Sequence, residues 1–179
     1  MGFGGGHWLK CTGCSKRFDF PESHVYQYTD LGAVRSFDDI EGHCWSVLDL
    51  PCWCVDCNRP SFCERVPSLD ELLKAAAVRR IPEGPTRHEI VDPLLDLEPE
   101  SLARLVEQFA SRRSKPKCLV CGLVNVLPMD AWARKTPLLH DACGSPIELH
   151  AWIGGSIGRR EFRFYSTEGD LVGSLTGVA

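Results

Sequence analysis

Residues 52–63, CWCVDCNRPSFC, place four cysteines within twelve residues. Such a cluster is compatible with disulfide bridges, with a redox dithiol or with the ligands of a metal ion. The chain has ten cysteines in 179 residues, with no evident secretory leader and no apolar run long enough to span a membrane. We therefore expect a soluble, cytoplasmic protein, in which cysteine clusters bind metal more often than they form disulfides.

The spacing of the cysteines along the whole chain predicts metal ligands. Three Cys-x-x-Cys pairs and one His-x-x-Cys pair occur. Two ligands at this spacing turn inward from one tight knuckle, and two facing knuckles complete a tetrahedron around Zn²⁺. We expect two zinc ions, each held by knuckles that are consecutive in the chain. The first site would use Cys11, Cys14, Cys54 and Cys57, and the second Cys118, Cys121, His140 and Cys143. Iron held by four thiolates is the alternative metal.

Two features of the flanking sequence bear on the ligand assignment. Gly122 and Gly144 directly follow the last ligand of their knuckles. Glycine tolerates the positive φ that a metal knuckle tends to require, which leaves backbone N–H groups free to point at sulfur. Cys52 is an alternative to Cys54, but only for a knuckle of different shape, because its spacing to Cys57 is longer.

Three cysteines, Cys44, Cys52 and Cys63, remain outside these sets. One interpretation makes them small buried apolar residues, as free cysteines commonly are. Another places them with His43 in a third metal cluster, and a redox or regulatory role is a further alternative.

On these knuckles the chain resembles the zinc-ribbon group of folds, in which two knuckles on β-hairpins clamp one zinc. The resemblance covers roughly residues 8–63 and 115–179. It implies a fold and a metal but no activity, because zinc ribbons serve in nucleic-acid binding, as protein adaptors and as structural appendages.

Two helices are predicted between the cysteine-rich segments. Ser68 and Glu71 form a capping box that predicts a helix over residues 69–80. A second helix is predicted over 99–113, after a proline-rich irregular connection. The apolar faces would consist of Leu69, Leu72, Leu73 and Ala76 in the first helix and of Leu102, Leu105, Val106 and Phe109 in the second. The basic residues Arg112, Arg113, Lys115 and Lys117 then suit a solvated helix end.

The remaining segments predict strands and complete the fold class. Residues 146–153 and 160–166 alternate between apolar and polar positions and would extend the second ribbon into a three- or four-stranded sheet. Residues 25–31 and 32–37 suggest a hairpin in the first ribbon. We predict an α+β protein with two zinc-ribbon-like β modules joined by a two-helix segment. The boundaries are 1–67 for the N-terminal module, 68–114 for the helical connector and 115–179 for the C-terminal module.

The catalytic signatures that can be checked argue against an enzyme. His88-Glu-Ile-Val-Asp92 resembles a zinc-protease motif, but Pro93 biases Asp92 away from the helix that the motif needs. The glycine-rich stretch GGSIG at 154–158 lacks the lysine and helix of a phosphate-binding loop. Two zinc sites with four protein ligands each would leave no open position for catalysis. We therefore expect no catalytic residues.

Charge favours a protein partner as the functional target. The formal net charge is −4, and thiolate ligation of two zinc ions lowers it to about −7. A protein with this net negative charge attracts basic protein surfaces and repels phosphate backbones. The leading hypothesis is a non-enzymatic zinc-binding protein that acts through protein–protein interaction. One concrete version is a cytoplasmic immunity protein or antitoxin that neutralises a basic toxin.

Two other classes of function stay open. A nucleic acid could bind the slightly basic C-terminal module through cations and two stacking rings. The candidates are Lys115, Lys117, Arg134, Lys135, Arg159, Arg160, Arg163, Trp152 and Tyr165. A thiol oxidoreductase would use one Cys-x-x-Cys pair as its dithiol, although such enzymes need a single pair rather than matched sets.

Overall fold

The structure is a computed structural model that describes residues 5–21, 24–78, 99–130, 133–153 and 159–178. The strands in these ranges are β1 Gly5–Cys11, β2 Arg17–Asp19, β3 Val25–Thr29, β4 Cys44–Ser46, β5 Asp49–Cys54, β6 Arg59–Glu64, β7 Val126–Pro128, β8 Lys135–Leu139, β9 Pro146–Ile153, β10 Arg159–Tyr165 and β11 Leu171–Val178. The helices are α1 Leu69–Val78 and α2 Pro99–Ser111, with a short 3₁₀ helix at Phe37–Ile40. The proline-rich connection over 81–98, the His88–Asp92 motif and the stretch 154–158 lie outside the described residues.

The strands form three sheets, which confirms the mixed α+β class. Sheet 1 has the order β2-β1-β9-β8, sheet 2 the order β11-β10-β3-β4, and sheet 3 the order β6-β5-β7. Every one of these sheets combines strands from residues 1–67 with strands from 115–179. The predicted division into an N-terminal and a C-terminal module therefore does not correspond to separate sheets.

Pairing over long sequence distances explains this difference. Strand β1 lies antiparallel to β9 along its whole length, from Gly5 opposite Ile153 to Cys11 opposite Ile147. Strand β10 pairs in parallel with β3 and antiparallel with β11. The strands of the C-terminal tail thus enter two sheets instead of extending one. Residues 32–37 form no strand, and β3 pairs with β4 where a hairpin to 32–37 was predicted.

Sheet 1 has one buried and one open face. Leu9, Ile147 and Leu149 are each at most 4% exposed and pack together with Met129 in a small apolar core. The residues that alternate with them, such as Lys10, point to the other face. The apolar–polar alternation read from 146–149 is thus confirmed.

The capping box of α1 forms as predicted. The backbone N–H of Glu71 donates to Ser68 Oγ (3.2 Å), and Glu71 Oε2 accepts from the Ser68 backbone N–H (2.8 Å). The apolar face is narrower than expected, because Leu72 is fully buried while Leu69 and Leu73 are about half exposed. Among the described residues, neither helix has the length and apolar character needed to cross a membrane.

Helix α2 packs its predicted stripe against the larger core. Leu102 and Leu105 are buried, and Val106 and Phe109 pack at the edge of the cluster. Gln108 adds polar links on the same face, accepting from Trp45 Nε1 (3.0 Å) and donating to the Thr167 carbonyl (3.1 Å). The core joins both helices to sheets 2 and 3, and its buried members are Tyr26, Tyr28, Trp45, Val47, Leu48, Phe62, Leu72, Leu102, Leu105, Leu119 and Tyr165.

A buried ion pair ties the end of α2 to sheet 3. The side chains of Arg112 and Glu64 are 2% and 0% exposed, and two parallel hydrogen bonds of 2.9 and 2.6 Å join them. Tyr28 and the backbone N–H of Lys117 donate to the same carboxylate (2.8 and 2.9 Å). A Cβ on Gly169, whose φ is +79°, would lie 2.7 Å from Glu64 Oε1. Arg112 is therefore a buried structural residue and does not belong to a solvated helix end.

Candidate metal centres

The first candidate metal centre joins two knuckles that are far apart in the sequence. Cys11, Cys14, His140 and Cys143 place one ligand atom each within 4.8 Å of the others. The Sγ atoms of Cys11 and Cys143 are 3.4 Å apart. His140 Nδ1 lies 3.2 Å from the Sγ atoms of both Cys14 and Cys143. This is a Cys₃His set.

The second candidate centre lies at the tip of sheet 3. Its four thiols belong to Cys54, Cys57, Cys118 and Cys121, again within 4.8 Å of one another. The Sγ atoms of Cys54 and Cys121 are 3.6 Å apart. Cys54 and Cys118 are buried, whereas Cys121 is exposed. This is a Cys₄ set.

Both sets have the dimensions of a tetrahedral site. Zn–S bonds of about 2.3 Å require Sγ–Sγ edges of about 3.8 Å, and a Zn–N bond of about 2.0 Å requires an N–S edge of about 3.5 Å. The separations of 3.4 and 3.6 Å between sulfurs and of 3.2 Å between nitrogen and sulfur are a few tenths of an ångström shorter. Each set can therefore hold one metal ion with little movement.

All eight sequence-predicted ligands are brought into clusters, but their grouping differs from the prediction. The knuckle of Cys11 and Cys14 faces the knuckle of His140 and Cys143, not that of Cys54 and Cys57. The knuckle of Cys54 and Cys57 faces the knuckle of Cys118 and Cys121. The grouping is therefore nested: the first knuckle in the chain pairs with the fourth, and the second pairs with the third. The expected pairing of consecutive knuckles is wrong.

Strand register decides which knuckles meet in the first centre. One knuckle occupies the turn between β1 and β2, and the other the turn between β8 and β9. Because Cys11 at the end of β1 is opposite Ile147 at the start of β9, the two turns lie side by side. The ring of His140 is 8% exposed and packs edge-on against Phe18 at 5.5 Å, which fixes its orientation.

Sheet 3 brings the other two knuckles together in the same way. Cys54 at the end of β5 is opposite Val126 at the start of β7. The backbone of Cys118 pairs with that of Cys63 in β6 as an isolated antiparallel β-bridge. Next to it, the Leu119 N–H donates to the Phe62 carbonyl (2.8 Å). The knuckle of Cys118 and Cys121 is thereby held against the β5–β6 turn, which carries Cys54 and Cys57.

The four knuckles share one backbone feature. The residue after the second ligand has a positive φ in every case: +60° at Ser15, +49° at Asn58, +75° at Gly122 and +67° at Gly144. The conformation predicted for the two glycines is confirmed. Ser15 and Asn58 adopt it without the freedom of glycine, which costs about 1 kcal/mol or more for a non-glycine residue.

Hydrogen bonds stabilise one thiolate in each centre. The backbone N–H and hydroxyl of Ser145 lower the pKa of Cys143 to about 6. Burial would raise the pKa of Cys118, but the Ser61 hydroxyl and the N–H groups of Cys121 and Val120 outweigh it and lower that pKa. Ser61 Oγ lies 3.1 Å from the sulfur of Cys118 and is fully buried. Donors of this kind orient a ligand for its metal.

The three remaining cysteines do not enter either cluster. Cys52 and Cys63 are both 0% exposed. The Cys52 thiol donates a hydrogen bond to Cys63, and this bond, together with burial, raises the pKa of Cys52 far above its usual range. Their burial agrees with the apolar interpretation. Burial also raises the pKa of the partly buried Cys44, and His43 pairs with Asp30 at 2.9 Å rather than with a cysteine.

Three of the predicted nucleic-acid residues are engaged within the protein. Tyr165 is 2% exposed, and its hydroxyl donates to the Leu119 carbonyl (2.6 Å), so it cannot stack on a base. Arg163 pairs with Glu161, and Lys117 pairs with Asp170. The candidates were grouped because they lie in the C-terminal segment, whose strands enter different sheets, with Lys135 in sheet 1 and Arg163 in sheet 2.

Comparison of the chain with protein-family models, with curated proteins and with solved structures finds no match. Function is therefore inferred from the two clusters and from the surface around them.

Replacing Gly13 by alanine is expected to weaken metal binding at the first centre only. A Cβ on Gly13 would clash with the side chain of Ser145 and lie 3.6 Å from the sulfur of Cys143, so the two knuckles would have to separate. We expect about a tenfold or greater loss of zinc affinity at this centre, comparable to the loss of an outer-shell partner. Val55 lies between the two ligands of a knuckle of the second centre, and its side chain is 53% exposed. Competition with a chromophoric chelator should show normal affinity for Val55→Ala, and equal loss in both variants would contradict the prediction.

Proposed function

We propose that this chain is a non-enzymatic zinc protein in which two zinc-ribbon-like centres hold the fold together and the outer surface binds another protein. The observation that carries the proposal is the closure of each centre by four side-chain ligands. A catalytic zinc keeps one coordination position for water or substrate, whereas structural sites are Cys₄ or Cys₃His.

The topology supports a structural role for the metals. The first centre links residues 126 positions apart, and the second links residues 67 positions apart. Closing such long loops is entropically costly, so a metal that binds only the folded chain stabilises it directly. Thiolate-rich sites favour zinc over hard cations, and elemental analysis distinguishes zinc from iron.

The acidic surface supports a protein partner. The 3₁₀ helix Phe37–Ile40 and its flank expose the carboxylates of Asp38, Asp39 and Glu41, and Phe37 beside them is 43% exposed. An aromatic side chain among carboxylates suits a basic protein surface. A cytoplasmic immunity protein or antitoxin that covers a basic toxin is the concrete form of this proposal.

The metal part of the proposal is tested by elemental analysis and cobalt substitution. We expect two zinc ions per purified chain. The cobalt-substituted protein should show tetrahedral spectra that do not change when azide or cyanide is added, because no coordination position is open. A spectrum that shifts with either anion would indicate an open site and contradict the structural role.

The partner part is tested by capture from the native lysate, with charge-reversed variants. The double variant Asp38→Lys/Glu41→Lys should lose a stoichiometric protein partner. The double variant Glu100→Lys/Glu107→Lys, which makes the same charge change at exposed positions of α2, should retain it. Absence of any stoichiometric partner, or equal loss in both variants, would count against this surface.

A further inference from the structure

The open face of sheet 1 carries a row of cations across its strands. Lys135 of β8 is opposite Glu148 of β9, which is opposite Lys10 of β1, which is opposite Arg17 of β2. Residues opposite each other in neighbouring strands point to the same side of a sheet. Three of the four side chains in this row are basic, in a chain whose formal net charge is −4.

Two of these cations have no carboxylate partner within the described ranges. Glu148 is bound by Arg134, whose Nε lies 2.8 Å from Glu148 Oε2, and Arg17 pairs with Asp19. Lys10 and Lys135 are both exposed and form no ion pair with a described residue. Among the residues that the structure describes, this face therefore has more cations than carboxylates.

A ladder of stacked planar groups stands beside this row. The rings of Trp8 and His150 are 5.3 Å apart and 9° from parallel. The guanidinium carbon of Arg17 lies 5.0 Å from the Trp8 ring. The Arg17 side chain is 60% exposed, and β2 is the edge strand of the sheet, so the ladder ends at a solvent-facing group.

A depression of about 300 Å³ adjoins the ladder and the cations. Its lining includes Lys10, Thr12, Ser15, Arg134 and His150. Glu148 also lines it, and its carboxylate is paired with Arg134. The two cations and two hydroxyl groups around this concave surface suit a phosphate group.

We propose that this face binds single-stranded nucleic acid. Lys10, Lys135 and Arg134 contact phosphates, and a base continues the ladder by stacking on the exposed guanidinium plane of Arg17. Bases stack on arginine planes as well as on aromatic rings, and a positively charged track with stacking groups is the usual platform for single strands.

The geometry favours a single strand over the other anionic ligands. A duplex keeps its bases stacked on one another and offers none to Arg17, whereas a flexible single strand can expose one. Free phosphate would fill the depression but would gain nothing from the ladder. The binding surface shares no residue with the acidic segment 37–41, so this inference does not depend on the proposed protein partner.

The test is fluorescence anisotropy of the zinc-loaded full chain with labelled oligouridine and oligothymidine over a range of salt concentrations. We expect saturable binding at low salt. The double variant Lys10→Ala/Lys135→Ala should bind at least about tenfold more weakly, with a salt slope reduced by about 1.4, since each single-strand phosphate contact contributes about 0.7. The control Arg113→Ala/Lys115→Ala removes two other exposed cations and should bind normally.

A second variant separates stacking from charge. Arg17→Lys keeps the charge but loses the planar group, so binding should weaken by at least about fivefold at every salt concentration without a change in slope. Oligouridine and oligothymidine side by side show whether RNA or DNA is preferred, and inorganic phosphate and a short duplex serve as competitors. Absence of binding at low salt, equal binding by face and control variants, or full competition by millimolar phosphate or by the duplex would overturn the proposal.

Discussion

Removing both metal ions with a chelator at neutral pH is expected to abolish the cooperative unfolding transition of this chain. Binding of a structural zinc ion contributes about 10–16 kcal/mol in small zinc domains, which equals or exceeds the total stability of a typical domain, about 5–15 kcal/mol. Each centre here joins two knuckles that no disulfide bond holds together, since none of the ten cysteines forms one. Far-UV circular dichroism during thermal unfolding, before and after chelation and again after zinc is restored, measures the effect. A chelated, metal-free chain with an unchanged transition would contradict it.

Paired ligand substitutions also test the nested grouping. Cys14→Ser with His140→Asn removes two ligands from the first centre and none from the second. This variant should therefore bind one zinc ion per chain. Cys14→Ser with Cys57→Ser removes one ligand from each centre and should bind neither ion tightly. Consecutive pairing of the knuckles would give the reverse result, so the zinc content of two variants decides between the arrangements.

Local sequence predicts each knuckle but not its partner. The Cys-x-x-Cys spacing and the glycine after the ligands concern only four or five adjacent residues, and they identify all eight ligands. Four knuckles can be paired in three ways, and the choice depends on strands such as β1 and β9 that are far apart in sequence. A parallel pairing such as β3 with β10 likewise leaves no local signal. The helices were predicted better because the capping box and the apolar stripe are local features.

The buried ion pair between Glu64 and Arg112 is a second feature that local sequence does not predict. Glu64 is the last residue of β6 and belongs to no sequence motif. Arg112 lies in a run of basic residues that resembles an ordinary helix end. Their pairing depends on the packing of α2 against sheet 3, a tertiary contact that neither segment encodes alone. A buried arginine cannot be distinguished by sequence pattern from the exposed Arg113 beside it.

Replacing Glu64 by glutamine is expected to destabilise the protein by about 3–5 kcal/mol, because the Arg112 guanidinium would remain buried without a counter-charge. Both Glu64 oxygens accept hydrogen bonds, from Arg112, Tyr28 and the Lys117 backbone. An amide offers a single acceptor oxygen in place of two, and its NH₂ group would face donors. Since Lys117 immediately precedes Cys118, we also expect weaker zinc binding at the second centre. Urea unfolding of the zinc-loaded protein measures the stability loss.

Two further variants make this prediction specific to the buried pair. Asp170→Asn removes the carboxylate that pairs with Lys117. Because the Asp170 side chain is 68% exposed, this change should cost less than about 1 kcal/mol. Glu64→Leu with Arg112→Met removes both buried charges together and should be less destabilised than Glu64→Gln, because it leaves no unpaired ion and replaces the pair with apolar groups of similar size. If Glu64→Gln were no more destabilising than Asp170→Asn, the carboxylate would not be holding Arg112 in the core. If the double variant were the worst of the three, lost packing and the loss of the acceptor for Tyr28 and the Lys117 N–H would outweigh the cost of the unpaired charge.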